Sequence, residues 1–357
     1  MVEPKPPFRA DTVGSLLRPT ELKQARADHL AGRIDAEALR AVEDRLIVDA
    51  VQRQESIGLR AVTDGEFRRG WWHFDFLAGL NGVELVKGDR GTAIQVSGPL
   101  GFPADHPMLA HFRFLAATAR GMPKQTLPSP SLLHFRIGRS AVHDDLKTFL
   151  ADAGEVFAEA IQAFHGAGCR YLQLDDTVWG SLCSAREREA ARRRGEDPET
   201  LPKLYAAVIN RALAAKPADM TVTLHVCRGN YRSSWIAEGG YEPIAETLLR
   251  EIAIDGYFLE YDSARAGGFE PLRFLPAGDK RIVLGLVTTK TGALESPDDI
   301  KRRIDEAARY VPLERLCLSP QCGFASTEEG NLLSEDEQWR KLELVVRIAD
   351  EVWGTVG

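Results

Sequence analysis

The chain has 357 residues, 44% hydrophobic and 27% charged, enough to bury a large core in one domain or in two or three smaller ones. A net charge of −7, with both signs interspersed, gives no general attraction to nucleic acid or to an anionic membrane surface. Five cysteines (Cys169, Cys183, Cys227, Cys317 and Cys322) are too few and too scattered for a disulfide framework in a chain this long. The opening MVEPKPPFRA lacks the apolar core of a signal peptide, and no run of about 18 apolar residues suggests a membrane span. A cytoplasmic location is expected, with thiols free for packing, metal binding or catalysis.

Taken in chain order, ADTVGSLL (10–17) reads as a first strand, followed by helix from Thr20 to about Gly58 on three- and four-residue apolar spacing. LRAVTDGEF (59–67) is a second strand, and GVELVKGDRGTAIQVSGPLG (82–101) a β-hairpin about a Gly-containing turn. QTLPSPSLL (125–133) is a weaker strand because of its prolines, and a helix from about Asp144 to His165 stops at GAG. RYLQLDDTVW (170–179), TVTLHVCR (221–228), GYFLEYDS (256–263), RIVLGLVTT (281–289) and RLCLSPQCG (315–323) complete the set, mostly with helices between them. The charged stretch 185–200 fits a solvated helix; an anion-binding role is the alternative.

Eight strands travelling in one direction, most followed by a helix, predict an α/β fold: a (β/α)₈ barrel spanning 1–357 as a single domain, with the hairpin inserted after the second strand. An open doubly wound sheet is the competing topology. In a barrel the chemistry collects at the C-terminal ends of the strands. Those ends carry Ser15, Asp64, Glu66, Ser129, Asp175, Asp176, His225, Cys227, Glu260, Thr288 to Lys290, and Cys322.

His225 and Cys227, two apart on a strand, point the same way. With Glu260 and Cys322 they offer one nitrogen, two thiolates and a carboxylate, a set that suits tetrahedral Zn²⁺ better than the oxygen-seeking Mg²⁺ or Ca²⁺. By spacing alone, His-x-Cys fits packing at least as well as ligation, and Cys322 fits a buried apolar position. Glu260 is harder to place without a partner, being a carboxylate at the end of an apolar strand.

LHVCRGN, FLEYDS and LSPQCGFAST, in this order, resemble the zinc-binding motifs of the cobalamin-independent methionine synthase family. The likeness runs from DTVGS through VTDGEF and LQLDDTVW to CGFAS, and suggests the short, single-barrel form of the catalytic half. It implies Zn²⁺ on His225, Cys227, Glu260 and Cys322, and homocysteine contacts from Ser15, Glu66 and Asp175. Two carboxylates suit an ammonium, and a serine hydroxyl with backbone N–H groups suits a carboxylate; ion pairs within the barrel mouth are the plainer reading.

The implied reaction moves a methyl group from 5-methyltetrahydrofolate, or a related donor, to the homocysteine thiol, giving methionine. The departing folate nitrogen needs a proton. Where the long enzymes carry a histidine acid in a DIHS-like segment, this chain has GLVTTKTG, which makes Lys290 the candidate acid. An anion-binding or solvent-facing Lys290 is equally consistent with the sequence.

Two other readings share the metal motif or part of it. One is alkyl transfer to another thiol, as in epoxide–coenzyme M transferases; the other is a non-catalytic, zinc-stabilised binding barrel. The aromatics of GWWHFDF (70–76) and Trp179 suit either a stacking surface for a pterin or packing of a helix face. His134 is expected to be a hydrogen-bonded structural residue.

Overall fold

The computed structural model describes residues 5–88, 91–135 and 145–357. Seven parallel strands form one curled sheet: β1 (Ala61–Val62), β4 (Met122–Pro128), β5 (Tyr171–Asp176), β6 (Thr221–Val226), β7 (Gly256–Glu260), β8 (Arg281–Val287) and β9 (Leu316–Pro320), hydrogen-bonded in that order. β2 (Asn81–Gly88) and β3 (Gly91–Gly101) make the antiparallel hairpin between β1 and β4, with Val83 opposite Val96 and Leu85 opposite Ile94.

The eighth stave is the segment expected as the first strand. It makes one parallel bridge, Ala10 to Leu318 of β9, with bonds of 3.0 Å from the Asp11 N–H and 2.8 Å back to Arg9. On its other side the Leu16 N–H bonds Gly65 and the Thr63 hydroxyl donates to Gly14, so the segment spans the gap between β9 and the end of β1. The molecule is a (β/α)₈ barrel with a hairpin insertion, and one stave is held by few backbone bonds.

Several elements differ in extent from the sequence expectation. The long helix after Thr20 is two, Thr20–Leu30 and Ala36–Ser56, separated at Gly32 (φ +69°) and restarted by Asp35, whose carboxylate accepts from the Ala38 N–H. β4 starts three residues earlier than expected; Pro128 ends the ladder with β5 and Pro123 lies just before it, so neither missing N–H interrupts an interior bond of that ladder. The helix expected from Asp144 runs over Leu146–Gly166 with Asp145 as its cap, and Asp144 lies outside the described residues.

Strand parity sorts the side chains. Leu172 and Leu174, Val222 and Leu224, Tyr257 and Leu259, and Ile282 and Leu284 belong to the large apolar core that includes the surrounding helices. The alternating positions face the barrel axis and are polar in many places: Lys124 and Thr126, Tyr171, Gln173 and Asp175, Thr223 and His225, and Glu260. A small apolar cluster of Val13, Phe258, Val283 and Cys317 fills part of the same interior.

At the barrel floor, Asp11 and Lys124 form a wholly buried ion pair at 3.1 Å. The other Asp11 oxygen accepts from the Tyr171 hydroxyl at 2.8 Å and the Phe8 N–H at 3.2 Å. The Lys124 ammonium also donates to the Thr12 carbonyl at 2.5 Å and sits 4.0 Å from the centroid of the Phe258 ring.

Candidate metal centre and cavity

Register brings the mouth residues together. Asp175 on β5 pairs with His225 on β6, and Glu260 ends β7 one strand further. Cys227 follows β6 directly, its N–H bonded to Asp176 at 2.8 Å, and Cys322 follows β9. One candidate ligand atom from each of His225, Cys227, Glu260 and Cys322 lies within 4.8 Å of all the others, and all four residues are buried.

The arrangement fits a metal ion on three counts. The two sulfurs are 3.7 Å apart, matching the edge of about 3.8 Å that a tetrahedron with Zn–S distances near 2.3 Å requires. Both imidazole nitrogens of His225 are buried without a hydrogen-bond partner among the described residues, and a ligated cation removes that expense at one of them. The donor set, one N, two S and one O, is that of zinc.

Electrostatics at the centre point the same way. Burial pushes Glu260 up to about 7, against the pull of Lys290 and His225. The hydrogen bond between the Cys227 and Cys322 sulfurs holds Cys322 below the ordinary thiol range and Cys227 above it. A dication among these groups inverts the balance and favours both thiolates and the carboxylate.

The ligands are braced by neighbours. Glu260 accepts from the Arg228 N–H at 2.7 Å and from Arg265 at 3.2 Å, and Cys227 Sγ accepts from the Gly229 N–H at 3.3 Å. Asn230 donates to the Gly323 carbonyl at 2.6 Å and the Thr289 hydroxyl at 3.0 Å, tying together the loops after β6, β8 and β9. A Cβ on Gly323 would stand 1.9 Å from Ser15 Oγ, and one on Gly180 would stand 2.2 Å from the Cys227 carbonyl. Glycine is needed at both for the loops to close on the centre.

A cavity of about 510 Å³ opens over the centre. His225, Cys227 and Cys322 line it, together with Ser15, Glu66 and Asp175. Glu66 has φ +60°, unusual for a residue with a side chain, in a turn where Asp64 accepts its N–H at 2.8 Å. One Glu66 oxygen meets the Thr126 hydroxyl at 2.8 Å and Arg69 at 3.3 Å; the other is buried with no partner among the described residues. Burial pushes Asp175 up to about 7, while Gln173 donates to it at 2.7 Å. Ser15 Oγ accepts from the Ala325 N–H at 3.3 Å.

Other sequence candidates fall elsewhere. Asp176 accepts from the Val178 and Trp179 N–H groups in the first turn of the helix Val178–Leu182 and from the Ser131 hydroxyl. Lys290 is buried, its ammonium donating to the carbonyls of Gly229 at 2.9 Å and Ser234 at 3.5 Å and to Asn230 Oδ1 at 2.8 Å. Trp71, Trp72, His73 and Phe74 line the cavity, whereas Phe76 and Trp179 are buried in the apolar core. His134 bonds the Tyr205 hydroxyl at 2.7 Å, as its structural reading expects.

A family model, the catalytic domain of cobalamin-independent synthase, matches residues 131–350. The chain belongs to this family. Its relatives include the uncharacterised protein YxjH of Bacillus subtilis (strain 168), 52% identical over 98% of this chain and 96% of that one. A Listeria monocytogenes crystal structure, provisionally assigned as a vitamin-B12 independent methionine synthase, is 45% identical with a TM-score of 0.83, covering 99% and 100% of the two chains. A B12-independent methionine synthase from Shewanella sp. W3-18-1, solved with selenomethionine, shares the fold at 19% identity and TM-score 0.74, over 96% and 97%.

The short motifs carried the family likeness, yet several residues that hold its site together were not singled out from sequence. Arg18, wholly buried, donates to the carbonyls of Leu16, Ala325, Glu66 and Arg69, joining three mouth loops. Asn230 lies within LHVCRGN itself, and its polar side chain directly after a strand was the available signal. Thr126 and Gln173 were discernible only as polar residues at inward strand positions.

Proposed function

We propose that this chain is a zinc-dependent S-methyltransferase that passes a methyl group from 5-methyltetrahydrofolate, or a related donor, to the thiol of homocysteine and forms methionine. The observation that carries this reading is an N, S, S, O cluster, three of whose members (His225, Cys227 and Cys322) line the cavity that also holds Ser15, Glu66 and Asp175. The whole chain acts as one barrel domain, in the cytoplasm.

His225, Cys227, Glu260 and Cys322 would hold Zn²⁺. When bound, the ion supplies thiol activation: a free thiol near pKa 8.5 is only about 3% thiolate at pH 7, and coordination deprotonates it. The chain's own residues orient the amino acid. Glu66, which has one unpartnered oxygen and lines the cavity, and Asp175 receive the ammonium, while Ser15 and neighbouring N–H groups receive the carboxylate. Holding the acceptor sulfur in line with the methyl carbon supplies the orientation term of catalysis.

Lys290 takes a positioning role in this reading. Its donors go to the loop after β6, so it fixes Gly229 and Asn230 beside Cys227 and is not among the residues lining the cavity. Methionine production by the zinc-loaded protein tests the assignment: activity that survives complete removal of metal by chelation would rule it out. In the cobalt-substituted protein, a new thiolate-to-metal absorption on adding homocysteine is expected.

A further inference from the structure

We propose that His73 is the general acid of this site, giving its proton to the folate nitrogen as the methyl group leaves. This rests on the methyl-transfer reading above. It supplies the proton donor that Lys290, turned to the loop after β6, does not.

The reaction restricts where an acid can stand. For in-line transfer the acceptor sulfur and the departing nitrogen lie on opposite sides of the methyl carbon. His225, Cys227 and Cys322 mark the acceptor's part of the cavity, with Ser15, Glu66 and Asp175 around the amino acid. A separate stretch of wall comes from Trp71, Trp72, His73 and Phe74 after β1, continued by residues 92–94 of the hairpin. That stretch holds no candidate ligand and no proposed amino-acid contact, so it falls to the donor. Its one ionisable side chain is His73.

The other acidic groups of the lining are committed. Glu66 is paired with Arg69 at 3.3 Å and with the Thr126 hydroxyl at 2.8 Å. Asp175 lies in register with His225, beside the acceptor, and accepts from Gln173 at 2.7 Å. An imidazole is the side chain whose ordinary titration lies nearest neutrality, which suits an acid that must be reloaded at each turnover.

The loop that carries His73 is fixed at several points. The Asp75 carboxylate accepts from the Gly70 and Trp71 N–H groups at 3.0 and 2.9 Å. The Trp72 N–H bonds the Ser326 carbonyl at 3.1 Å, and the His73 carbonyl accepts from the Leu77 N–H at 3.0 Å. The His73 ring packs on Phe74 with centroids 4.1 Å apart and on Trp72 at 4.6 Å, and the residue is buried while lining the cavity. Aromatic faces favour the protonated ring through their quadrupoles and give the flat donor an apolar surface.

In the step itself, the homocysteine thiolate sulfur forms a bond to the methyl carbon as the carbon–nitrogen bond breaks. The electron pair stays on the folate nitrogen, which takes the proton of the His73 imidazolium and leaves as tetrahydrofolate. The neutral imidazole regains from solvent the proton that the thiol released beforehand, so protons and charge balance.

The test compares two methyl donors on the zinc-loaded full chain with homocysteine bound. 5-Methyltetrahydrofolate needs an acid, whereas methyl iodide loses iodide without one. Labelled methionine is read by mass spectrometry in single turnovers. His73→Gln should slow transfer from the folate by about 10²- to 10⁴-fold. Its transfer from methyl iodide, and its affinity for the folate in tryptophan-fluorescence titrations, should stay within about threefold of the parent. His73→Asn, a smaller replacement, should behave alike, and circular dichroism reads the fold of both.

Near-parental folate turnover by a folded His73 variant overturns the proposal, as does equal slowing with both donors, which marks a structural role. Selective loss of folate turnover in Lys290→Met, with His73→Gln active, places the acid at Lys290 and overturns it as well. Each of these leaves the transfer reading standing. A parent that makes no methionine from the folate overturns that reading and the acid together.

Discussion

The floor and the mouth of the barrel bury charge in opposite ways. At the floor both Asp11 oxygens are engaged, by Lys124, Tyr171 and backbone N–H groups. At the mouth, Glu66 Oε2, Gln173 Oε1 and both His225 nitrogens are buried without partners among the described residues. A buried polar group costs free energy unless it is paired, so the paired Asp11 and Lys124 read as a structural device, and the unpaired groups at the mouth support the proposed binding site. The strands are continuous between the two, and parity places Lys124 and Tyr171 on the same inner face as Asp175 and His225.

Substitutions at each end should separate the two roles. Cys322→Ser and His225→Ala remove proposed ligands, so metal content and transfer should fall by more than the roughly 10- to 100-fold that loss of an outer partner costs. Elemental analysis and methionine assays read this, and circular dichroism should show an intact barrel. At the floor, Lys124→Met leaves Asp11 buried without its cation and is expected to cost about 3–5 kcal/mol in denaturant unfolding. Metal stoichiometry of the folded fraction should be unchanged; a variant that kept full stability would break the contrast.

Asn230→Ala probes the bracing between loops. It should weaken zinc binding by about 10- to 100-fold in chelator competition while homocysteine affinity changes less. Glu66→Gln should raise KM for homocysteine about tenfold, through loss of a charge-assisted contact. Its stability effect carries a sign. Burial holds the Glu66 carboxyl above its ordinary 4.5. A folded-state pKa above the unfolded value contributes stability at low pH that is lost as pH rises through the folded value. The variant should therefore gain stability relative to the parent as pH rises above the ordinary carboxyl value toward the raised folded one, measured by urea unfolding. The smallest effect is expected at Ser334, an exposed residue outside the cavity lining that closes a capping box with Glu337: Ser334→Ala should cost about 1 kcal/mol and leave activity unchanged.

Much of the inward–outward sorting of side chains was legible in the sequence because strand periodicity is a local property. LQLDD reads as leucines outward and Gln173 and Asp175 inward, and LHVC as His225 and Cys227 on one face. The first stave was legible as an apolar segment, but its single bridge to β9 was not, since pairing depends on a partner some 300 residues away. The Asp11–Lys124 pair, joining residues 113 positions apart, was likewise hidden.

By itself the sequence determined the alternation of strand and helix, the side of each strand that carries polar groups, and the ligand types held in short motifs. These follow from backbone periodicity and side-chain chemistry, which need no partner. Tertiary structure decided which polar groups are satisfied. Lys290 illustrates the difference: its sequence position suggests an acid, while the fold turns its ammonium to the Gly229 carbonyl and Asn230. The aromatic rim was decided in the same way, because Trp71 and Tyr231 meet only when distant loops close over the mouth. Contacts between remote segments set burial and pairing, and these determine whether a charged residue supports the barrel or faces a ligand.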